Sequence, residues 1–248
     1  VIDVVVLDGT GFPHGGTGIV GEFVNNLDRA RFRPVVVDYP ATYGGLGSAY
    51  ASSRAAGRAA ALRAIADSPN SVVLAGYSQG AGIAGDVADE IGRGEHFELD
   101  VRACALIADP ARPRLCGLPR ETPASGYGVS GERAVWGIPT FWAAAEGDPI
   151  TALPEGNPLR SLADTTEYFS LASPVDAIRW GQALLDRAKA HRWQRWWSIG
   201  AVRDWGGAMQ YADNYLPPPI GAGRHTIAYL ELGLCARLAA TINREVRE

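Results

Sequence analysis

The chain has 248 residues, 47% of them hydrophobic, with 23 Lys and Arg against 27 Asp and Glu for a formal net charge of −4. That balance suits a globular protein and excludes a disordered tail, a collagen-like repeat and a disulfide-dense miniprotein. It lacks the basic excess that duplex binding uses, and no run approaches the ~18 apolar residues of a membrane span, so neither a nucleic-acid partner nor stable membrane insertion is expected.

In chain order, residues 3–7 form a short apolar strand that ends in the turn Asp8-Gly9-Thr10-Gly11, and residues 17–27 a short helix. A second strand over 34–38 stops at Tyr39-Pro40, and an Ala- and Arg-rich helix over 48–67 takes Ser48 as its N-cap. Residues 71–75 are a third strand and 81–92 the helix after it, and two more apolar runs follow at 101–108 and 138–144. Continuous apolar strands spaced by helices predict an α/β protein with a mostly parallel central sheet covered on both faces. The regularity breaks between 151 and 220, read as a helical insertion that ends at Pro217-Pro218-Pro219. A terminal helix over 226–248 carries Ile227, Leu230, Leu234, Leu238 and Ile242 at helical spacing. The predicted organisation is an α/β core of 1–150 and 221–248 interrupted by a lid-like insertion of 151–220.

Val1-Ile2-Asp3 shows no basic stretch of a signal peptide. Cys104, Cys116 and Cys235 lack metal-ligand spacing and read as three buried thiols, with a Cys104–Cys116 disulfide as the alternative. His14, His96, His191 and His225 are scattered, so no metal is expected, and no organic cofactor either.

Gly76-Tyr77-Ser78-Gln79-Gly80 matches G-x-S-x-G between a strand and a helix of small residues. Such a turn exposes a serine hydroxyl in strained backbone and aims helix N–H groups at developing negative charge. The serine then needs a base and an acid to orient it, in the chain order Ser, Asp or Glu, His. His96 comes too early and His191 falls in a helical stretch, so His225, in a glycine-rich loop before the terminal helix, is the expected base. Asp148, after the later strand, is the preferred acid over Asp109, whose plainer role is a turn residue before Pro110. The oxyanion donors are expected from the N–H of Gln79 and from Thr10, preferred over the competing His14-Gly15-Gly16. Gly16-Thr17-Gly18-Ile19-Val20-Gly21 also fits G-x-G-x-x-G, with Asp38 after the next strand. It lies too far beyond the first strand for a dinucleotide site.

These stretches resemble the cutinase-like serine esterases of the α/β-hydrolase superfamily, and within them the lysin B enzymes of mycobacteriophages. The likeness rests on Gly9-Thr10-Gly11, on Ala75 through Ala81 with GYSQG at its centre, on Asp109-Pro110, on Gly147-Asp148 and on the late histidine. The resemblance implies hydrolysis of the ester joining mycolic acids to arabinogalactan, by a monomeric, phage-encoded lysis protein acting at the host cell envelope. It also implies the helical insertion before the histidine. No cysteine pair brackets Asp148 as in secreted cutinases, which points towards lysin B. The alternatives are a cutinase-like esterase, lipase or thioesterase acting on smaller soluble or lipid esters, and a catalytically silent hydrolase-fold protein that binds lipid or glycan.

Of the seven tryptophans, Trp180, Trp193, Trp196, Trp197 and Trp205 fall in the insertion, interleaved with Arg179, Arg192, Arg195 and Arg203. Packing within the insertion is the plainer reading of this pattern. An aromatic wall for a long acyl chain, formed by Trp193, Trp196, Trp197 and Trp205, is the functional one.

Overall fold

The computed structural model describes residues 1–12, 14–16, 18–42, 50–157, 159, 214–215 and 221–247. Among them the chain order is β1 (Ile2–Leu7), α1 (Gly18–Asn25), β2 (Phe32–Val36), α2 (Tyr50–Ala66), β3 (Val72–Tyr77), α3 (Gln79–Gly92), β4 (Val101–Ile107) and β5 (Thr140–Ala143). Two helices close it, α4 (Ile227–Glu231) and α5 (Leu234–Glu245).

The five strands form one parallel sheet in the order β2-β1-β3-β4-β5. Side chains alternate across a strand, so an unbroken apolar run supplies two cores at once. Val4 and Val6 of β1, Val73 and Ala75 of β3 and Ile107 of β4 pack with Phe23 of α1 and with Leu238 and Ile242 of α5. Val5, Leu7, Leu74 and Leu106 pack on the other face with Ile65 of α2 and with Ile83 and Val87 of α3. Each such side chain taken fully out of water contributes about 1.5–3 kcal/mol, which is why β1 and β3 are buried along their whole length. β2 lies at the edge, where Pro34 costs no ladder hydrogen bond. The polar side of α2 is tied to α3 by Arg58, whose guanidinium meets both carboxylate oxygens of Glu90 at 2.6–3.0 Å.

The strand order reverses between β1 and β3: from β1 the chain moves outward to β2, then returns to the other side of β1. The connections that leave the carboxyl ends of β1 and β3 therefore lead to helices on opposite faces, α1 on one and α3 on the other, which makes this the switch point where sheets of this kind bind their ligands.

The C-terminal segment differs from the single helix expected. Gly233 takes a left-handed conformation (φ 64°), which only glycine adopts without cost, and splits it into α4 and α5. The apolar spacing does not run through the break: Leu230 is exposed, and Ala228 and Tyr229 carry the buried side of α4. All three cysteines are free thiols, Cys104 and Cys235 buried and Cys116 half-buried rather than enclosed as expected. Ser48, His191 and the five insertion tryptophans with their arginines lie outside the described residues. So does the 151–220 insertion apart from residues 151–157, 159, 214 and 215.

Candidate active site

Ser78 stands between the end of β3 and the first residue of α3 with φ 53° and ψ −116°. A non-glycine residue held in such a region costs roughly 1–3 kcal/mol and persists only where its surroundings enforce it. The enforcement here is backbone against backbone. A Cβ on Gly76 would meet the Gly80 carbonyl oxygen at 2.3 Å, and one on Gly80 would meet the carbonyl oxygens of Leu7 at 2.2 Å and Asp8 at 2.5 Å. The start of α3 is thus pressed onto the end of β1, and the Ser78 N–H is held by the Ile107 carbonyl of β4 at 2.9 Å.

Two loops from elsewhere in the chain meet the serine. His225, in the turn leading into α4, brings Nε2 to 3.0 Å from Ser78 Oγ. Its Nδ1 lies 3.0 Å and 3.1 Å from the two carboxylate oxygens of Asp148, in the loop after β5. Both residues are buried. With Nδ1 facing a carboxylate, the ring hydrogen sits there and Nε2 keeps its lone pair for the serine hydroxyl. Asp148 accepts two further donors, the Ile150 N–H at 2.8 Å and the Tyr229 hydroxyl at 2.5 Å.

Tyrosines surround this pair. Tyr77 donates its hydroxyl to the His225 carbonyl at 2.7 Å, and its ring and that of Tyr215 both stack with the imidazole, at centroid distances of 5.5 Å and 5.2 Å. Burial holds the phenols of Tyr77, Tyr215 and Tyr229 above their ordinary range, so all three stay protonated. Asn214 donates to the Gly147 carbonyl at 2.9 Å and accepts the Arg224 N–H at 2.8 Å, which ties the acid loop to the histidine loop. Beneath them the fully buried Arg112 donates to the carbonyls of Thr151, Cys116, Ala124, Ser125 and Gly126 at 2.8–3.0 Å. Burial lowers its pKa, and the carbonyl cradle compensates the charge.

On the β1 side, Thr10 Oγ1 lies 3.5 Å from Gln79 Oε1, and a Cβ on Gly9 would come within 3.3 Å of the Ser78 Cβ. The Gln79 side chain braces this loop, donating to the Thr42 carbonyl at 3.2 Å and accepting the Tyr39 hydroxyl at 3.4 Å. The backbone N–H of Gln79 opens the first turn of α3, where amides have no acceptor within the helix. Asp8 is buried, takes the Gly9 N–H at 2.7 Å on Oδ1 and leaves Oδ2 without a hydrogen-bond partner; burial pushes its pKa up to about 6.

The structure therefore brings Ser78, His225 and Asp148 into one hydrogen-bonded chain, with Thr10 and Gln79 alongside. Asp109 is engaged elsewhere. It is fully buried, accepting Arg133 at 2.7 Å, the Trp142 indole at 3.0 Å and the Ala111 N–H at 2.9 Å, so it anchors the 109–133 loop as well as making the expected turn. His14 is a surface residue facing Asp38 at 3.6 Å, and His96 sits beside Glu90 after α3. Trp193, Trp196, Trp197 and Trp205 are outside the described residues. Among the described residues no group of three or more His, Cys, Asp or Glu is placed to hold a metal ion. The sequence reading missed Tyr229, Tyr215, Asn214 and Arg112. Only Tyr229 left a trace, as a tyrosine one helical turn after His225.

The sequence profile of the cutinase family matches residues 2–131, more than half of the chain. No curated protein matches it significantly. Among solved structures, lysin B from Mycobacteriophage D29 is similar over 91% of this chain and 94% of that one, at 18% identity and a TM-score of 0.53. A cutinase-like protein from Cryptococcus sp. is 19% identical over 65% of this chain and 90% of its own, with a TM-score of 0.45. An acetylxylan esterase is 23% identical over 67% and 94%, with a TM-score of 0.41. The fold is that of the α/β-hydrolases, the matched profile spans β1 through β4 with the serine turn among them, and the chain belongs to the cutinase family.

Proposed function

We propose that the protein is a serine esterase in which Ser78 is the nucleophile, His225 the general base and Asp148 the acid that orients it. The observation that carries this reading is the unbroken chain from Ser78 Oγ through His225 to Asp148, with 3.0 Å at each step, mounted on a strained strand-to-helix turn. In the first half-reaction His225 Nε2 takes the hydroxyl proton as Oγ attacks the ester carbonyl. The resulting oxyanion is met by the backbone N–H groups of Gln79 and Thr10. Collapse expels the alcohol, which takes the proton from the imidazolium, and leaves Ser78 acylated. Water then attacks the acyl-enzyme, giving a proton to Nε2; the carboxylic acid leaves and Oγ recovers its hydrogen. A positioned base supplies roughly 10²–10⁴ in rate and each oxyanion donor roughly 10²–10³. Every residue in these roles comes from one chain, so the chemistry requires no second copy.

The substrate assigned is the mycolyl ester of arabinogalactan, cleaved at the envelope of a phage's host. Its support is the likeness of GYSQG, Gly9-Thr10-Gly11 and Gly147-Asp148 to lysin B enzymes, with a fold similar to lysin B along nearly the whole chain. The test has two steps. A fluorophosphonate should form its adduct on Ser78, mapped by peptide mass spectrometry, and Ser78→Ala should lose both the adduct and at least about 10⁴-fold in kcat while staying folded. Release of mycolic acids from purified mycolyl-arabinogalactan, compared with p-nitrophenyl esters of rising chain length, then decides the substrate. Turnover of short esters without mycolate release overturns the envelope assignment, and a folded protein unlabelled at Ser78 overturns the esterase.

A further inference from the structure

Tyr229 sits four residues after His225 on the same short segment, fully buried, with its hydroxyl between two parts of the β5 loop. The Ala145 N–H donates to that hydroxyl at 3.2 Å, and the hydroxyl donates to Asp148 Oδ2 at 2.5 Å. The first contact occupies an oxygen lone pair and directs the hydroxyl hydrogen at the carboxylate. At 2.5 Å the second has the length of a charge-assisted O–H···O⁻ bond. The ring is held by edge contact with Tyr77, at 6.3 Å between centroids, and Tyr77 in turn holds the His225 carbonyl. One turn of chain therefore grips Asp148 twice, through the imidazole and through the phenol.

On the serine-esterase reading above, we propose that Tyr229 is a positioning residue that sets the basicity of His225 through Asp148. The other donors to the carboxylate, Ile150 N–H and His225 Nδ1, fix Oδ1 and share the rest, so the phenol is the contact that belongs to Oδ2 alone. A carboxylate that gives part of its charge to a phenol stabilises the neighbouring imidazolium less. A replacement that lacks the hydroxyl returns that charge to the imidazolium, so it should need a higher pH than the parent to free the base. The phenol also holds the plane of the carboxylate, and with it the direction of Nδ1–H. Among the described residues, the other titratable groups facing this cluster are Tyr77 and Tyr215, which remain protonated across the working range, with the guanidinium of Arg112 beyond them.

The experiment compares three full-length proteins: the parent, Tyr229→Phe, and a protein carrying 3-fluorotyrosine at position 229, a stronger donor of nearly the same shape. The readouts are kcat and KM for a short p-nitrophenyl ester and the rate of fluorophosphonate labelling, each across pH. Tyr229→Phe should lower kcat about tenfold, leave KM nearly unchanged and move the acid limb of the labelling profile up by about half a pH unit. Fluorotyrosine should move that limb the other way. A merely structural tyrosine would alter thermal stability and leave both limbs in place. Superimposed pH profiles for all three labelled proteins, or shifts of the same sign for both replacements, overturn the role of Tyr229. If Tyr229→Phe does not fold, the direction of the fluorotyrosine shift decides alone. Failure of the parent to label at Ser78 overturns the esterase reading beneath it, a distinct result.

Discussion

Around Ser78 the chain is held by backbone meeting backbone. The first turn of α3 rests on the last carbonyls of β1 with no room for a methyl group at Gly76 or Gly80, and β4 takes the serine N–H. Around His225 and Asp148 the chain is held by side chains: Tyr229 reaches Asp148 and Asn214 reaches Gly147 from far along the sequence, and Arg112 gathers the carbonyls of Thr151 and of Ala124, Ser125 and Gly126. In the proposed esterase the two halves do different work. The nucleophile must sit at one strained point, which close-packed backbone enforces. The base and acid must present matched charges, which hydrogen bonds tune.

If the serine half is set by backbone contact, adding a single methyl group there is intolerable. Gly80→Ala would place a carbon 2.2 Å from the Leu7 carbonyl oxygen, deep in the junction of β1 with α3. The expected result is a loss of more than about 4 kcal/mol and little folded protein, read by soluble yield and urea denaturation. A Gly80→Ala protein within about 1 kcal/mol of the parent would show that the junction yields, and the contrast between the two halves would fall.

The acid–base half should instead lose rate before it loses fold. Asp148→Asn is expected to cost about 10²–10⁴ in kcat, because the amide no longer enforces the productive tautomer, with modest change in stability. Asp109→Asn is the control. It removes a buried counter-charge from Arg133, so about 3 kcal/mol of stability should go while kcat of the folded fraction stays within a few-fold. Denaturation curves and active-site titration separate the two effects. The reverse outcome, crippled turnover in Asp109→Asn and mild change in Asp148→Asn, would reassign the acid.

The same contrast explains what could be read from sequence. Backbone close approach dictates residue type locally, so glycines two before and two after Ser78, between an apolar strand and a helix of small residues, announce the turn. The unbroken apolar runs of β1 and β3 likewise announce a sheet covered on both faces. That His225 and Asp148 meet Ser78 was legible through chain order, since Asp148 follows an apolar strand and His225 precedes the terminal helix. Tyr229, Asn214 and Arg112 were not, because their partners lie far along the chain and nothing periodic marks a phenol that reaches an aspartate 81 residues earlier. The break at Gly233 was overlooked for a related reason. The stripe of Leu230, Leu234 and Leu238 reads as one helix until Leu230 is seen facing solvent.

One group blurs the division, and its titration sharpens it. Asp8 is a buried carboxyl on the backbone-built half, at the root of the Gly9-Thr10 loop, with one oxygen on the Gly9 N–H and the other without a partner. Among the described residues its polar neighbours are the Gly9 and Gly16 amides, the Tyr39 hydroxyl on its own carbonyl and the phenol of Tyr77, none of them a cation. Burial therefore dominates and raises its pKa from 3.8 to about 6. The sign follows from proton counting. Between about pH 4 and 6 the folded chain binds a proton here that the unfolded chain has lost, so this group's contribution falls as pH rises, by about 3 kcal/mol over the whole window. Asp3, held low by Arg33, works in the opposite sense below that range, so the parent's net curve does not isolate Asp8. The difference between Asp8→Asn and the parent does. Asparagine does not titrate, so the variant should gain on the parent steadily from pH 4 to about pH 6.5 and hold that gain at neutral pH, as measured by urea denaturation across the series. Parallel curves for the two proteins would mean that Asp8 titrates like an exposed carboxyl. Water or a moving loop would then relieve its burial, and the serine half would be softer than its glycine contacts imply.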